Sequence, residues 1–385
     1  MFIGIGILLN PKNLLFDKKR GFKMKFKNLE LLNFRNYDNL KLNFDDHLNL
    51  IYGNNGEGKT NIVEALFLLA YTKSFRTNND KNLIMFDQDN LRVKASVLND
   101  KFLNNYMITI NKEEKKVFIN ETNYKRLSDY ISKINIVLFN RNDLNLIKES
   151  PNIRRKNINI DISGFNNTYL KQITIYNKII KQRNSYLKLL YLNGNMSKDY
   201  LDILTNKLID TGINIYNIRK DYINKINESI NKYYNLITND ESSLTIKYTS
   251  EFSESKTKLM TKIKQSLSKE LILNKTLYGI HHDDFVFYLN GKNIKEFGSE
   301  GQQKNAIISY KLAIINYLKN MNINPIFILD DMFSELDNEK INNILKLIDN
   351  DLQIFITTTE IDNINNNIKD NAKKIRIHNG TVEVD

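Results

Sequence analysis

The chain has 385 residues and no cysteine, which excludes disulfide bonds, cysteine-ligated zinc sites and thiol nucleophiles. Hydrophobic residues make up 41% and charged residues 26%, a balance typical of chains that bury a sizeable core and not of disordered ones. Lys and Arg outnumber Asp and Glu by 56 to 44, so the net charge is +12. This excess favours a polyanionic partner, although a generally basic protein without such a partner fits the composition equally well.

Residues 1–23 differ in character from the rest of the chain. Residues 2–9 are apolar, but this run is too short to span a bilayer. Neither the charged start nor the cleavage site of a secretory signal is clear. A second methionine, Met24, stands directly before a strand-like run, so residues 1–23 are interpreted as a disordered leader or as the result of a start assigned too early. No later stretch has the length and apolarity of a membrane helix, and no membrane partner is expected.

The next part, residues 24–140, is predicted to form a β-rich lobe. Apolar residues at alternating positions predict strands at 29–34, 40–44, 48–52, 107–110 and 117–120. The last two flank a charged turn and indicate a hairpin. From Thr60 onward, apolar residues recur at helical spacing, so the lobe is expected to surround a strand–loop–helix unit.

The middle part, residues 141–240, is predicted to be an inserted, mainly helical lobe. Apolar residues line one face of a helix over residues 170–190, and again over 201–233 after a turn at Asn193. Two long helices of this kind are expected to pack as an antiparallel pair. An extended coiled-coil arm is the alternative, but the apolar seams are short and the flanking charges irregular.

The last part, residues 241–385, returns to strand patterns that alternate with helices. Strands are predicted at 244–248, 285–289, 326–329, 352–356 and 375–377, and helices at 307–318 and 340–348. Residues 326–329 are a continuous apolar run of the kind found in buried parallel strands. Strands alternating with helices indicate an α/β fold in which this part completes the first lobe.

The motif that carries the chemistry is Gly53-Asn54-Asn55-Gly56-Glu57-Gly58-Lys59-Thr60. It fits the phosphate-binding P-loop pattern G-x-x-x-x-G-K-[ST] without departure, and it lies between a predicted strand and a predicted helix. Glycines let backbone N–H groups surround phosphate oxygens, and the start of the following helix favours an anion. Lys59 is expected to neutralise the β- and γ-phosphates of ATP, and the hydroxyl of Thr60 to bind Mg²⁺.

A second metal-binding carboxylate is predicted at the end of the buried strand 326–329. Asp330 follows this strand directly, and ligands bind at the carboxyl ends of such strands. Asp330 is therefore expected to bind the same Mg²⁺ as Thr60, and Asp331 to polarise the attacking water. A strand followed by an acidic turn is the alternative, which the P-loop makes less attractive.

Most of the chain separates Lys59 from Asp330, which is unusual for a compact kinase or GTPase and typical of an ATPase head split by an insertion. Shortly before Asp330, Gly298-Ser299-Glu300-Gly301-Gln302-Gln303 resembles the S-x-G-Q signature of ABC ATPases. In that family the signature opens a helix and contacts the γ-phosphate of ATP bound to the opposite subunit. The resemblance thus adds Ser299, Gly301 and Gln302 to the nucleotide contacts.

Further motifs resemble the RecF family of bacterial DNA repair ATPases over nearly the whole chain after Met24. They are Leu32-Asn33-Phe34-Arg35-Asn36-Tyr37, Tyr71-Thr72-Lys73-Ser74-Phe75-Arg76, Ser150-Pro151 with Arg154-Arg155, Lys181-Gln182-Arg183-Asn184, Leu329-Asp330-Asp331 with Ser334-Glu335-Leu336-Asp337, and Ile356-Thr357-Thr358-Thr359. Three segments depart from the family patterns: Gly279-Ile280-His281-His282-Asp283-Asp284, Arg141-Asn142-Asp143-Leu144 and Asn157-Ile158-Asn159. A metal site at His281 and His282 is the less favoured interpretation, because no further ligands cluster nearby in the sequence.

The resemblance implies an ABC-ATPase head with a mixed β-sheet and an inserted helical lobe, and ATP and Mg²⁺ as cofactors. It also places Arg35 among the nucleotide contacts. It implies a homodimer that forms on ATP binding, a surface for duplex and gapped DNA with a single strand as a further possibility, weak DNA-stimulated ATPase activity and a cytoplasmic location. RecR and RecO are the implied partners, and loading of the RecA recombinase at gaps is the implied task in recombinational repair and replication restart.

Basic residues that could contact DNA are Lys73, Arg76, Lys112, Lys115, Lys116, Arg154 and Arg155, although most such side chains are only solvated charges.

Three other classes of protein share the P-loop. A transporter ATPase subunit is disfavoured because residues 357–359 replace its switch histidine, and a structural protein of the SMC type needs far longer coiled coils. A nuclease of the overcoming-lysogenization type needs a further acidic metal-binding domain, for which the chain leaves no room.

Overall fold

The computed structural model describes residues 22–193, 197–331, 338–348, 351–359, 361, 364–378 and 380–384. The strands, in chain order, are β1 (Phe22–Phe26), β2 (Asn28–Phe34), β3 (Tyr37–Asn43), β4 (Leu48–Tyr52), β5 (Asn90–Asn99), β6 (Phe102–Asn111), β7 (Lys115–Ile119), β8 (Thr122–Asn123), β9 (Ile136–Phe139), β10 (Leu244–Thr249), β11 (Asp284–Leu289), β12 (Lys292–Asn293), β13 (Ile323–Asn324), β14 (Ile326–Leu329), β15 (Ile354–Thr358), β16 (Ala372–His378) and β17 (Thr381–Val384).

The helices, in chain order, are α1 (Lys59–Tyr71), α2 (Leu127–Tyr130), α3 (Asn145–Lys148), α4 (Pro151–Phe165), α5 (Asn167–Leu192), α6 (Asp199–Thr238), α7 (Lys256–Gln265), α8 (Leu267–Leu273), α9 (Ile294–Phe297), α10 (Glu300–Asn320), α11 (Asn338–Leu347) and α12 (Asn366–Asp370). No described helix is long and apolar enough to cross a membrane.

Two large sheets form the ATPase head. The first is mainly antiparallel and contains β1–β3, β5–β8 and β13, with the hairpin of β6 and β7 where the sequence predicts one. The second has the order β17-β16-β4-β15-β14-β9, in which every neighbouring pair is parallel except β16 and β17. Strand β14 is buried along its whole length, as expected for a parallel strand covered on both faces. The head is therefore a mixed α/β structure, which confirms the predicted fold class.

The order of the second sheet brings together segments that are far apart in the chain. The strand before the P-loop, β4, and the strand before Asp330, β14, both pair with β15 in parallel. The carboxyl ends of these three strands therefore lie side by side at one edge. This edge positions the functional site.

The helical lobe is built on α5 and α6, which run antiparallel as predicted. Nε of Arg183 donates to the hydroxyl of Thr205 near the turn, and Nε of Arg219 donates to the hydroxyl of Tyr169 farther from it. Because residues earlier in α5 contact residues later in α6, the two helices are antiparallel. Leu187, Leu190 and Leu201 bury a small apolar cluster between the helices. Helix α6 also packs against α10 of the ATPase head, so the pair is part of a packed lobe and not a free arm.

The segment between the helical lobe and α10 forms a separate three-stranded sheet, β10-β11-β12. This sheet packs on α6, and Leu244, Ile246, Phe285 and Phe287 join the same apolar cluster as the helices. The boundary predicted at residue 241 therefore falls just before this sheet, and the strands of the head resume only at β13.

Element boundaries follow the predictions closely, with small shifts. Strand β15 begins at Ile354, two residues after the predicted start at residue 352, and helix α10 is longer than predicted at both ends. Strand β1 begins at Phe22, so the predicted end of the leader at residue 23 lies within a strand. Residues 1–21 and the segment Ser334-Glu335-Leu336-Asp337 lie outside the described residues.

Candidate nucleotide site

The loop after β4 turns at two glycines whose positions exclude a side chain. Gly53 has φ of 151°, and a Cβ there would lie 2.2 Å from the carbonyl oxygen of Ile377. Gly58 has φ of 116°, and its Cβ would lie 2.6 Å from the hydroxyl of Tyr37. Only glycine avoids both the backbone strain and the clash. The loop then enters α1 at Lys59, so the first N–H groups of that helix face the loop.

Lys59 lies across the P-loop. Its Nζ donates hydrogen bonds to the carbonyl oxygens of Gly53 at 2.8 Å and Asn54 at 2.7 Å. Burial lowers the pKa of Lys59, and the carboxylates of Asp331, Glu57 and Asp330 oppose this effect. The ammonium group is thus held within the loop that is expected to bind phosphate.

Thr60, Asp330 and Thr357 meet at the edge of the second sheet. Oδ1 of Asp330 accepts hydrogen bonds from the hydroxyl of Thr60 at 3.0 Å and from the hydroxyl of Thr357 at 2.7 Å. Burial raises the pKa of Asp330, while these two hydroxyls act in the opposite direction. The structure therefore brings the two predicted Mg²⁺ ligands into direct contact.

Asp331 lies beside this group in a conformation that is uncommon for a residue other than glycine. Its φ is 56°, in the left-handed region. Its backbone N–H donates to the hydroxyl of Thr357 at 2.8 Å, and its Oδ2 lies 3.6 Å from Nη2 of Arg141. The hydroxyl of Thr357 thus contacts both acidic residues and stabilises the turn that orients them.

These groups surround a cavity of about 190 Å³ lined by Asn55, Gly56, Gly58, Lys59, Thr60, Asn61, Arg76, Asp331 and Thr357. The cavity therefore contains the end of the P-loop, the start of α1 and the turn after β14. Asp330 lies beneath it and is buried. The remaining P-loop residues Gly53 and Asn54 contribute their carbonyl groups to Lys59, while Glu57 accepts from the backbone N–H of Asn54 at 2.6 Å.

Three residues of this cavity, Asn61, Arg76 and Thr357, were not predicted as part of it. Arg76, assigned from the sequence to DNA, lines the cavity and donates from Nη1 to Oδ1 of Asn61 at 2.7 Å. Thr357 was noted only as a replacement for a switch histidine. The apolar periodicity of α1 gives no indication that Asn61 faces Arg76, because a helical repeat does not specify which loop covers its polar face.

Arg35 is not among the residues that line the cavity, and the nucleotide contact that the family resemblance implies for it stays a prediction. Its guanidinium binds both carboxylate oxygens of Glu64, from Nε at 2.9 Å and from Nη2 at 2.7 Å, and Nη1 donates to the carbonyl oxygen of Asn82. Glu64 is fully buried on α1 and needs a cationic partner. Arg35 therefore neutralises Glu64 and anchors α1, the helix that follows the P-loop.

Ser299, Gly301 and Gln302 lie at the start of α10 and do not line the cavity. The hydroxyl of Ser299 accepts from the backbone N–H of Gln302 at 3.2 Å, and the side-chain oxygen of Gln302 accepts from the N–H of Ser299 at 2.9 Å. This reciprocal capping box holds the turn, whose three residues are all exposed. The turn is therefore preformed and exposed.

Several residues that the sequence offers as DNA contacts have other partners. Arg154 is buried, and its Nε lies 2.7 Å from Oδ1 of Asp284. Lys115 is ion-paired with Asp80 at 2.6 Å and donates to the carbonyl oxygen of Thr72. Lys112 and Lys116 form exposed ion pairs with Asp89 and Glu114. Arg154 is thus a structural residue, and Nη1 of Arg76 lies 3.5 Å from Oε2 of Glu64. Within the described residues, Lys73 and Arg155 are the candidates that form no ion pair.

The divergent segment Gly279-Ile280-His281-His282-Asp283-Asp284 has a structural role. Oδ2 of Asp283 accepts from Nη1 of Arg219 at 2.7 Å and from the hydroxyl of Tyr248 at 2.6 Å, and all but about 1% of both the Arg219 and the Asp283 side chain is buried. Nδ1 of His281 lies 2.9 Å from the Tyr176 hydroxyl. Burial lowers the pKa of His281 to about 4, so the ring is neutral at pH 7. This segment therefore ties α5 and α6 to β11.

The oxygen ligands at the cavity fit a magnesium ion. Thr60 supplies a hydroxyl and Asp330 a carboxylate, and both are hard oxygen donors of the type that Mg²⁺ uses beside nucleotide phosphates. Their contact across the sheet edge puts both on the side of the cavity where the phosphates of a nucleotide on the P-loop would end. Asp330 and Thr60 are therefore the residues that would hold Mg²⁺.

Comparisons with known proteins show the family of the chain. The RecF/RecN/SMC N terminal domain family matches residues 25–383. The chain is 34% identical over 368 residues to the DNA replication and repair protein RecF of Bacillus velezensis, an alignment that covers 93% of this chain and all of the relative. It is 35% identical to the same-named protein of Bacillus thuringiensis, over 92% of this chain and 97% of the relative. The chain belongs to the RecF family.

Solved structures support the same assignment. A structure described as the recombination mediator protein RecF-ATP in the RecFOR pathway matches with a TM-score of 0.86 and 29% identity, over 95% of this chain and 99% of that one. An Smc head domain from Pyrococcus furiosus matches with a TM-score of 0.55 and 16% identity over 94% of this chain, which shows a shared fold. The RecF resemblance predicted from the motifs is thus confirmed, together with the SMC-like ABC-ATPase fold.

Proposed function

We propose that this RecF-family chain is an ATP-dependent DNA-binding protein of recombinational repair and replication restart. The observation that carries the proposal is the meeting of Thr60, Asp330 and Thr357 beside an intact P-loop. A P-loop alone binds phosphate, whereas a P-loop joined to a buried carboxylate is equipped for a metal-bound triphosphate. The related structure described as RecF-ATP supports ATP as the nucleotide.

The residues of the cavity divide the work of binding ATP. The N–H groups at the start of α1 face the phosphates, and Lys59 changes its hydrogen bonds from the loop carbonyls to phosphate oxygens. Mg²⁺, when bound, neutralises charge on the β- and γ-phosphates. Thr60 and Asp330 hold that ion, and the hydroxyl of Thr357 keeps the carboxylate oriented towards Thr60.

Asp331 is the residue proposed to orient the attacking water. Its side chain is one-third exposed and lines the cavity, so it can accept a hydrogen bond from water beside a bound nucleotide. Burial raises the pKa of Asp330, whereas Asp331 remains partly solvated, which separates the metal ligand from the water-orienting group. The expected activity is slow ATP hydrolysis that DNA stimulates.

Hydrolysis is proposed to need two copies of the chain. The exposed turn of Ser299, Gly301 and Gln302 does not line the cavity of its own chain, and the N–H groups at the start of α10 are suited to an anion. In a two-fold dimer each copy supplies this turn to the γ-phosphate of ATP bound to the other. ATP bound between the two copies thus holds the dimer closed.

DNA, RecR and RecO are proposed as the partners of the closed dimer, in the cytoplasm. The names of the relatives refer to DNA replication and repair, and the similar structures are described within the RecFOR pathway. The net charge of +12 supports a polyanionic partner. RecA loading at gapped DNA is the task that this assembly would serve.

The proposal is tested by sedimentation of the wild type and three variants, one of them a control, with and without ATP and Mg²⁺. The wild type should form dimers with ATP, and Lys59→Met should neither bind ATP nor dimerise. Ser299→Arg should bind ATP as the wild type does and remain monomeric. Asn320→Arg, which adds the same side chain at the exposed far end of α10, is the control and should dimerise normally. ATP-driven dimers of Ser299→Arg would contradict the shared site.

Duplex DNA binding is tested separately by its dependence on salt. If Lys and Arg contact phosphates, the logarithm of the affinity should fall linearly with the logarithm of salt concentration. DNA affinity that does not change with salt, or that is independent of ATP, would contradict an ATP-closed DNA-binding dimer.

A further inference from the structure

A second and larger cavity lies between the ATPase head and the helical lobe, and it is separate from the P-loop cavity. It has a volume of about 650 Å³, within the range of about 300–1,000 Å³ that is common for sites of small organic ligands. One wall is formed by residues 73–78 together with the end of α1 and Lys115, and the other by α4 and α5. This space is called the interlobe cleft below.

The charges along the interlobe cleft are strongly unequal. Its described lining contains five cationic side chains and one carboxylate, that of Asp80. The carboxylate is bound to Lys115 at 2.6 Å, and Arg219 is neutralised by Asp283. The remaining cations are Lys73, Lys156 and Arg155, and the cleft therefore has a net positive charge.

The three remaining cations have only neutral partners in the described part of the chain. Arg155 donates from Nη1 to the carbonyl oxygen of Asp283 at 2.7 Å, and Lys156 donates to the side-chain oxygen of Asn78 at 3.0 Å. Lys73 is exposed at the rim. Burial lowers the pKa of Arg155 and the charge of Arg219 lowers it further, while the carboxylates of Asp284 and Asp283 act in the opposite direction. An anion between these groups would relieve their mutual repulsion.

The other lining groups are suited to an organic ligand and not to an inorganic ion alone. Side-chain amides of Asn152 and Asn177 offer donors and acceptors, while Phe67 and Tyr71 form part of an apolar wall. Asn159 offers its amide N–H groups, since its oxygen accepts from Tyr169 and Arg219. Amides can bind the edges of a base, and aromatic and aliphatic groups can contact its face. A nucleotide unit combines these features with a phosphate.

We propose that the interlobe cleft binds a nucleotide through its phosphate, either as a free nucleotide or as one unit of a DNA strand. Lys73, Arg155 and Lys156 contact the phosphate, and the asparagine side chains together with the wall at Tyr71 contact the sugar and base. The site is distinct from the P-loop, since the lining of the two cavities shares no residue. It adds a second ligand to the protein, and it does not depend on ATP-driven dimerisation.

Binding is measured by fluorescence anisotropy with a labelled oligothymidylate and by competition with dTMP. Lys59→Met serves as the background, so that nucleotide at the P-loop does not contribute. Lys73→Glu and Lys156→Glu should each weaken binding at least about tenfold, the loss expected for a charged phosphate contact. Lys207→Glu, an exposed lysine of α6 outside the cleft, makes the same charge change and should alter binding less than twofold.

A second pair of variants tests whether the ligand occupies the volume of the interlobe cleft, without changing the charge of the cleft. Asn177→Trp fills the cleft from its exposed rim and should weaken binding as strongly, whereas Asn206→Trp on the exposed face of α6 should not. Competition by dTMP at concentrations similar to the strand's nucleotides would identify a free nucleotide as the ligand, and competition by strands alone would identify DNA. Absence of binding, or equal losses for Lys207→Glu and Lys156→Glu, would overturn the proposal. Formation of ATP-driven dimers by Lys156→Glu in an otherwise wild-type chain would show separately that the ATP site of this variant is intact.

Discussion

The hydroxyl of Thr60 lies 3.0 Å from Oδ1 of Asp330, although the two residues are 270 positions apart. Strands β4 and β14 do not pair with each other, and the contact exists because β15 lies between them and is parallel to both. The insertion of the helical lobe therefore leaves the ATP site unbroken, since both of its halves end at one edge of one sheet. Thr357 lies at the same edge, because it belongs to β15, the strand between β4 and β14.

Replacement of Asp330 should separate stability from activity. Burial raises the pKa of Asp330 above its ordinary value of 3.8, so the folded protein keeps the proton to a higher pH than the unfolded chain does. The contribution of this group to stability consequently falls as pH rises from about 4 through the folded-state pKa. Asp330→Asn should thus raise the melting temperature of the nucleotide-free protein by about 1–3 °C at pH 8. The gain should disappear as pH approaches 4.

The same variant should lose Mg²⁺-dependent ATP hydrolysis, because an amide is a poor substitute for the metal-binding carboxylate.

Asp46→Asn is the control for the change in melting temperature, and its expected change has the opposite sign. Burial acts to raise the pKa of Asp46, but the hydrogen bond and charge of Lys27 outweigh burial and lower it. Asp46→Asn should therefore lower the melting temperature at pH 8. If Asp330→Asn instead destabilises the protein at pH 8, the carboxylate is not under strain from burial.

Thr357 should matter for hydrolysis more than for ATP affinity. Its hydroxyl donates to Asp330 and accepts from the N–H of Asp331, so Thr357→Val removes the hydroxyl partner of that N–H and leaves Oδ1 of Asp330 with the hydroxyl of Thr60. An unsatisfied buried group costs about 1–3 kcal/mol. The variant should therefore reduce kcat about tenfold or more while ATP affinity changes less than about threefold. Single-turnover hydrolysis and equilibrium nucleotide binding measure the two quantities.

Thr357→Ser keeps the hydroxyl and should recover most of the rate. Thr358→Val is a control at the next position of the same strand, although its side chain also has a partner. If Thr357→Ser were as slow as Thr357→Val, the methyl group and not the hydroxyl would be the important feature, and the positioning role would be wrong.

Much of the ATP site could be predicted from the sequence because its motifs are short and local. The P-loop requires glycine at positions such as Gly53 and Gly58, and the apolar run before Asp330 marks a buried strand. Both features depend on residues that are neighbours in the chain. The same holds for the Ser299 capping turn, where donor and acceptor are three positions apart.

The charged partners could not be predicted in this way. Arg35 pairs with Glu64, and Arg154 with Asp284, across 29 and 130 positions. Periodicity predicts which face of an element is buried, but it does not predict which buried charge faces which. One signal was available: Glu64 stands within an apolar stretch of α1, and a buried carboxylate needs a cationic partner. This rule alone does not select Arg35.

A side chain at Gly301 should weaken the ATP-driven dimer while it leaves the single subunit intact. A Cβ at this position meets no atom within 4 Å, so the subunit has room for it. Glutamine favours a helix by about 0.5 kcal/mol or more over glycine, so Gly301→Gln should not reduce thermal stability. In the proposed dimer the added side chain would separate the turn from the partner's phosphate. ATP affinity of the monomer should stay the same, and the dimer dissociation constant should rise about tenfold or more.

Asn320→Gln on the exposed far end of α10 is the control for the glutamine side chain and should leave the dimer unchanged. Sedimentation equilibrium in the presence of ATP measures the dissociation constants of all three proteins. Dimers of Gly301→Gln as stable as those of the wild type would place the two-fold contact elsewhere on the surface.

The buried pair of Arg219 and Asp283 should be among the most sensitive positions for stability. Arg219→Met leaves Asp283 buried with hydroxyl donors from Tyr248 and Ser250 but without its cationic partner, and removal of one partner of a buried ion pair costs about 3–5 kcal/mol. Adding Asp283→Asn to this variant removes the unpaired charge and should recover a large part of that loss. Urea denaturation of both proteins measures the difference in the free energy of unfolding.

The control on the same helix is Lys225→Met, which removes an exposed ion pair with Glu228 and should give no measurable change. A further expectation concerns position: α5, α6 and β11 meet at this pair, so Arg219→Met should increase amide hydrogen exchange in all three elements. Exchange confined to α6, or a double variant less stable than Arg219→Met, would mean that Asp283 is held by other contacts and that the Arg219 pair does not join the helical lobe to the sheet.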